Sequence, residues 1–283
     1  MKIAVTGATG QLGCIVINQL KETNEKGNIV ALARSPQKAT GMGVDVRVAD
    51  YNNPVSLNIA LMDIATLVFI SGSEVGQRIP QHTNIIEAAK QAGVRRIVYT
   101  SLLHVDTTSL SISEEHIVTE TLLKNAGIPF TILRNGWYTE NYENSVMSGL
   151  KANTFIGSAC DGKISSAARR DYAEAIVAVL SSGAHHGKIY ELAGDESFSL
   201  SDLAAEVSVQ SGKLISYTNL SSEEYVTTLL KAGLPHGVAE MLAGIDVSTS
   251  KGDLFDDSHQ LSNLIGRPTT PLSDVVKDFL KQA

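Results

Sequence analysis

Three glycines at steps of three, Gly7, Gly10 and Gly13, lie in the run Thr6-Gly7-Ala8-Thr9-Gly10-Gln11-Leu12-Gly13. An apolar segment at 3–6 precedes the run, and an amphipathic stretch at 12–21, with Ile15, Val16 and Leu20 on one side, follows it. In that context the spacing has a chemical meaning. Gly7 allows a tight turn, Gly10 lets the backbone approach a pyrophosphate with no Cβ in the way, and Gly13 lets the helix pack closely on the strand. The helix N-terminus then offers unpaired N–H groups and partial positive charge to the phosphates. Elsewhere in a chain the pattern would be weak; behind a strand and before a helix it specifies a dinucleotide. A second apolar run, 29–33, ends in Arg34. NAD-selective sites place an acidic residue there for the ribose 2′-hydroxyl, and no Asp or Glu adjoins this position in sequence. An arginine can clamp a 2′-phosphate through charge-assisted bonds, with Lys38 one turn on to assist. The expected cofactor is therefore NADPH. Asp50-Tyr51, after the third run, reads as an adenine-side contact. Ser71-Gly72-Ser73, after the fourth, reads as a place where the cofactor ribose and nicotinamide pass close to the backbone.

The elements that must position these residues follow from periodicity. Strands are expected at 3–6, 29–33, 44–48, 67–70, 97–100, 130–133 and, much later, 189–192. Helices are expected at 12–21, 80–92, 113–126, 172–180, 200–210, 222–232, 238–242 and 272–280, with Ser199 and Ser221 as N-caps and Glu224 completing a capping box. Near-continuous apolar strands alternating with helices predict an α/β fold, a doubly wound parallel sheet of Rossmann type with a small C-terminal α/β lobe. We expect a nucleotide-binding core over 1–135. Residues 136–283 are expected to form the substrate lobe and return to the sheet edge, the whole being one compact unit. The 283 residues are 43% hydrophobic and 19% charged with a formal net charge of −7. That composition permits a large core and argues against a nucleic-acid partner, which wants a basic face. No apolar run reaches the ~18 residues a membrane helix needs, and the chain enters its first strand at once, so a cytoplasmic location is expected. Cys14 and Cys160 are lone thiols and no metal site is expected.

Several stretches match a known family together: TGATGQLG at 6–13, ADY at 49–51, SEVGQR at 73–78, YTSLLH at 99–104, RNGWYTENY at 134–142, YELAG at 190–194, SKGDLFDDS at 250–258, LIG at 264–266 and PTT at 268–270. The chain resembles the atypical short-chain dehydrogenase/reductases of the NmrA-like group, and within it the bacterial NADPH:quinone oxidoreductases of type 2. Triphenylmethane reductase is a more distant likeness. The resemblance implies a pocket between the Rossmann core and the C-terminal lobe, and an oxidoreductase that passes hydride from NADPH directly to a quinone without flavin. A homodimer is a possible assembly. The resemblance also implies roles for residues. Gly7, Ala8, Thr9, Gly10, Gln11 and Leu12 would hold the pyrophosphate and Arg34 the 2′-phosphate. The segment 137–142 would approach nicotinamide and substrate, and Arg169 would help close the site, with Arg170 the alternative for that role.

The chemistry of this family has a visible gap here. Ordinary short-chain dehydrogenases use Ser with Tyr-x-x-x-Lys, the Tyr donating a proton. Ser101 falls where that Ser would, but the next helix carries His116-Ile117-Val118-Thr119-Glu120 in place of Tyr-x-x-x-Lys. A positioned acid is worth about 10²–10⁴ in rate when an alkoxide develops. A quinone is a better hydride acceptor whose reduced anion is delocalised, so the loss excludes an alcohol dehydrogenase more readily than a quinone reductase. It is equally compatible with an NADP(H)-binding redox sensor, or with a reductase of another conjugated electrophile. No catalytic acid is assigned. Trp137, Tyr138 and Tyr142 could present flat walls to a quinone. Asn135 and Asn141 could donate to a quinone oxygen or the carboxamide, and His104 could contact substrate. His116 reads as a partly exposed helix histidine, His185-His186 as a solvated loop, and Asp253, Asp256 and Asp257 as a solvated turn.

Overall fold

The computed structural model describes residues 1–23 and 26–281. Its strands are β1 (Lys2–Val5), β2 (Ile29–Ala33), β3 (Asp45–Val48), β4 (Ile64–Phe69), β5 (Arg96–Leu102), β6 (Phe130–Asn135), β7 (Thr154–Gly157), β8 (Lys188–Leu192) and β9 (Ser216–Asn219). Its helices are α1 (Gln11–Thr23), α2 (Pro54–Ala60), α3 (Arg78–Gln91), α4 (Ser113–Asn125), α5 (Glu143–Ala152), α6 (Arg169–Leu180), α7 (Leu200–Ser211), α8 (Ser222–Lys231), α9 (His236–Ser250), α10 (Gln260–Ile265) and α11 (Leu272–Leu280). Seven strands form one parallel sheet in the order β3-β2-β1-β4-β5-β6-β8. The strand order reverses between β1 and β4, and there, outside the carboxyl ends of the strands, an open α/β sheet offers its crevice.

Successive residues of a strand face opposite sides, and both sides of this sheet are covered. Val5, Ile29, Ala31, Val68, Val98 and Leu133 pack under Val16, Ile17 and Leu20 of α1 and Tyr172, Ile176 and Val179 of α6. Ala4, Val30, Leu32, Leu67, Phe69, Ile97, Tyr99 and Ile132 pack against α2, α3 and α4 through Leu57, Ile85, Ile86, Ala89 and Leu123. This is why the strands read as continuous apolar runs. A third cluster lies beyond the sheet, where Phe155, Ile164, Phe198, Leu203, Val207, Val276 and Phe279 gather β7, α7 and α11. Within it β7 pairs with β9 in a small parallel sheet of its own. Both N-caps are formed, Ser221 in the expected capping box with Glu224 and Ser199 in a further one with Asp202.

The sequence reading missed α2, α5, α10, β7 and β9. The strands are only four residues each: Thr-Phe-Ile-Gly is too short to show a period, and Ser-Tyr-Thr-Asn is polar and mostly exposed. Helix α9 runs well past the expected 238–242, because Gly237, Gly244 and a Ser-Thr-Ser end weaken its helical preference without preventing it.

One contact sets the geometry of the first βα unit. A Cβ built on Gly13 would stand 2.2 Å from the Gly7 carbonyl oxygen and 2.8 Å from the Ala8 Cα. In an unhindered helix Gly→Ala stabilises by about 0.5–1 kcal/mol. Here the Cβ would meet backbone that cannot turn aside, and overpacking costs about 1–3 kcal/mol. Gly13→Ala is therefore expected to lower the unfolding free energy, read by urea titration; an increase would show that α1 does not depend on this approach.

Candidate active site

A cavity of about 510 Å³ opens at the point where the strand order reverses. Its floor is the turn from β1 to α1. Gly7 has φ +58°, in the left-handed region that glycine enters without strain. The Gly10 N–H closes the turn on the Gly7 carbonyl at 2.9 Å, and a Cβ on Gly10 would come within 3.2 Å of that same oxygen. The first N–H groups of a helix have no intrahelical partner, and α1 has no acidic side chain in its first turn to occupy them. Gly7, Thr9, Gly10, Gln11, Leu12 and Gly13 all line the cavity. This is a cradle for an anion with fixed donors and no side chain in the way. Ala8 is the exception among the expected residues. It is fully buried in the core, and its N–H is spent on the Leu32 carbonyl at 3.3 Å.

The cavity's wall brings together most of the other expected residues. Arg34, Ser35 and Lys38 line one end, beyond β2, with Asp50 and Tyr51 beyond β3. Tyr51 is fixed in this wall: its hydroxyl donates to the Ile70 carbonyl at 2.8 Å, and its ring meets Phe69 edge-on. Ser71, Gly72 and Ser73 form the middle. The Ser71 N–H donates to Thr100 Oγ1 at 3.0 Å, and the Gly72 N–H to His82 Nε2 at 3.0 Å. Thr119 Oγ1 donates to the Glu115 carbonyl and so accepts from His82 Nδ1 at 2.7 Å, which leaves Nε2 as the acceptor. Burial, and then the nearby His116 and Arg78, push the His82 pKa down to about 3, so this ring is a neutral fixture. The Gly72 carbonyl accepts from Arg78 Nε at 2.7 Å, and Arg78 is itself held by a buried pair with Glu115 at 2.9 Å. Arg78, Gln81 and Glu74 also line the cavity. Sequence reasoning passed over them and His82, because Glu74 and Arg78 precede the expected helix at 80–92 and nothing in that helix's pattern marks which side chains turn toward the cavity.

At the far end stand Tyr138 and Arg169. The Arg169 guanidinium lies 4.7 Å over the Tyr138 ring, and Nη2 donates to Asn141 Oδ1 at 2.7 Å. The competing Arg170 turns away to Thr270 Oγ1 at 2.8 Å. Glu140 accepts the Arg169 N–H at the start of α6, tying that helix to the segment 137–142. Beside Tyr138, Asn135 is buried with its Oδ1 unpartnered.

Besides Ala8, the expected contacts Asn135, Trp137, Asn141, Tyr142 and His104 lie outside the cavity's lining. Trp137 and Tyr142 pack against the third hydrophobic cluster, Tyr142 edge-on to Phe198, with Trp137 Nε1 buried and unpartnered. Asn141 is engaged with Arg169. His104 is pinned by its backbone N–H to Glu191 and by Nε2 to Asp256 Oδ2 at 3.0 Å. The turn at 253–257 is thus not simply solvated: Asp256 holds His104, and Asp253 accepts the Ser109 N–H at 2.9 Å.

The missing acid has a structural counterpart. Glu120, at the position of the lysine in Tyr-x-x-x-Lys, is buried. It takes Arg134 through Nε at 2.9 Å and Nη2 at 2.8 Å, and Ser101 Oγ at 2.7 Å. Burial alone would raise its pKa, but Arg134 and Ser101 outweigh burial and hold it below the ordinary value. His116, expected as a partly exposed helix histidine, is buried with Nδ1 2.7 Å from the Tyr99 hydroxyl, and burial pushes its pKa down to about 4. The Ser/Tyr/Lys apparatus is replaced by a structural ion pair and a neutral imidazole, neither of which lines the cavity.

Residues 7–183 match the model of an NAD(P)H-binding family. Over 277 residues, 97% of each chain, the sequence is 53% identical to quinone oxidoreductase 2 of Escherichia coli. The crystal structure of the NADPH-dependent quinone oxidoreductase from that organism, complexed with NADPH, superposes with a TM-score of 0.95, covering 98% of this chain and 99% of that one. An NmrA-like family domain-containing oxidoreductase of Aspergillus flavus is 28% identical over 99% of this chain and 95% of its own. Triphenylmethane reductase from Citrobacter sp., complexed with NADP(H), is 35% identical with a TM-score of 0.95, over 98% of this chain and 100% of that one.

The His104–Asp256 pair makes a pH prediction. The hydrogen bond to Asp256 raises the His104 pKa above its ordinary value, against the opposing effect of burial. A raised histidine contributes stability that is full below the unfolded pKa of about 6.5 and is lost as pH rises through the folded one. Between pH 6 and 8.5 the native chain should lose up to about 1 kcal/mol that His104→Ala does not lose, read by urea unfolding at both pH values. Parallel losses in the two proteins would contradict the pairing.

Proposed function

Because the chain belongs to the NAD(P)H-binding, NmrA-like family, we propose that it is an NADPH-dependent oxidoreductase that reduces quinones without a flavin. The observation that carries this reading is the cavity at the sheet's reversal point. Its glycine floor fits a pyrophosphate, and its cationic end at Arg34 and Lys38 fits a 2′-phosphate. When bound, NADPH supplies a hydride to the quinone, which takes up one proton and leaves as the hydroquinone.

The chain's own residues then do three things. The glycine turn and the N-terminus of α1 bind the pyrophosphate with donors that need no reorganisation. Ser71, Gly72 and Ser73, held from behind by Thr100, His82 and Arg78, fix the ribose side. Tyr138 under Arg169, with the 137–142 segment behind, orients the reacting face. None of these groups is a poised general acid. The site therefore suits an acceptor whose reduced form is a stabilised, delocalised anion that takes its proton from water. The relatives compared above include a quinone reductase and a dye reductase, both reducing conjugated acceptors.

Purified protein with NADPH and benzoquinone, with no flavin added, should consume the reduced-nicotinamide absorbance catalytically. Simple ketones of similar size should be slower by at least the about 10²–10⁴ that a positioned acid is worth. No turnover above the buffer rate across several quinones, or equal turnover of ketones, would overturn the proposal.

A further inference from the structure

We propose that Glu74 is a specificity-determining residue that competes with the cofactor's 2′-phosphate for Arg34, and so narrows the preference for NADPH over NADH. This rests on the reading above that the adenosine end of the cofactor lies at Arg34. No acidic residue follows β2 in sequence, yet the fold supplies one from elsewhere. The loop from β4 to α3 brings Glu74 Oε1 to 2.7 Å from Arg34 Nη1, and Arg34, Glu74 and Gln81 all line the cavity. Glu74 does not wander to this place. Its second oxygen accepts from Gln81 Nε2 at 2.8 Å, and Gln81 is buried. The hydrogen bond from Arg34 is also the main reason the carboxyl is held below its ordinary range, so it is charged at neutral pH.

The consequence follows from charge. A 2′-phosphate that reaches the Arg34 fork meets a carboxylate already seated on it, and after displacing that carboxylate it still lies beside a like charge. A 2′-hydroxyl has no such conflict, and Glu74 can accept its proton, the role an acidic residue after β2 has in NAD-selective sites. The exchange is easy because both side chains are substantially exposed, 66% for Arg34 and 42% for Glu74. Arg34 thus selects for the phosphate while Glu74 selects against it.

The test uses the intact protein and two fragments that carry no nicotinamide, 2′,5′-ADP and 5′-AMP, titrated by calorimetry. Glu74→Gln keeps the volume and a partner for Gln81 while removing the charge. It should tighten 2′,5′-ADP by about threefold to tenfold, the effect of losing one partly screened like charge, without tightening 5′-AMP. The gain should shrink at high salt. Arg34→Ala should nearly abolish the preference for 2′,5′-ADP. If Arg34→Ala lowers that preference but Glu74→Gln leaves it unchanged or reduces it, the role of Glu74 is overturned and that of Arg34 stands. If Arg34→Ala leaves the preference intact, the phosphate is bound elsewhere and both fall.

Discussion

The structure depends on how closely α1 approaches the end of β1. With no Cβ on Gly13, the helix lies directly against the Gly7 carbonyl, and its N-terminus is aimed across the reversal point of the sheet. Everything built around the cavity takes its position from that axis. The same helix buries Val16, Ile17 and Leu20 against the sheet and packs beside α6, whose first residue is Arg169. Floor and far wall are therefore mounted on neighbouring helices over one face, and the middle of the site is held from the other face by His82 and Arg78 of α3. The crevice is a rigid product of two packed layers, with the loops fastened by side chains from below.

The second feature that shapes the account is a substitution of purpose. Around the end of β5 and along α4, the positions that would serve proton transfer in a typical dehydrogenase serve structure. Glu120, Arg134 and Ser101 form a closed set of bonds, and Arg134 also reaches Asp106 and Glu191 at 2.7 Å each. A buried ion pair of this kind is costly to break, by about 3–5 kcal/mol when one partner is removed. It is not a group that can lend a proton. The chain retains cofactor binding and gives up acid catalysis, which directs it toward acceptors that need little help.

The parts of this arrangement that were legible in the sequence are those where a local pattern has one physical meaning. The glycine spacing behind an apolar strand announced the tight turn that floors the cavity, the end of the second apolar run announced an arginine at the cavity's edge, and the replacement of Tyr-x-x-x-Lys announced the loss of that apparatus. The parts that stayed hidden depend on long-range placement. Glu74 is forty residues from its partner Arg34, and His82 reaches Gly72 from the first half of a helix that reads only as amphipathic. His104 and Asp256, 152 residues apart, meet because two loops cross. Burial explains another correction. His116 carries a polar tip that suggests partial exposure, but the tip finds a partner inside, the Tyr99 hydroxyl, so the ring can be buried.

The most direct test of the central claim is a single turnover. Protein loaded with one equivalent of NADPH and freed of flavin is mixed rapidly with benzoquinone, using NADPH and its two forms deuterated at C4 of the nicotinamide. Direct transfer from one face of a fixed ring predicts loss of one equivalent of reduced nicotinamide per site, slowed by deuterium at one of the two C4 positions and not at the other. Loss that is insensitive to both labels, or dependent on added flavin, would contradict the account.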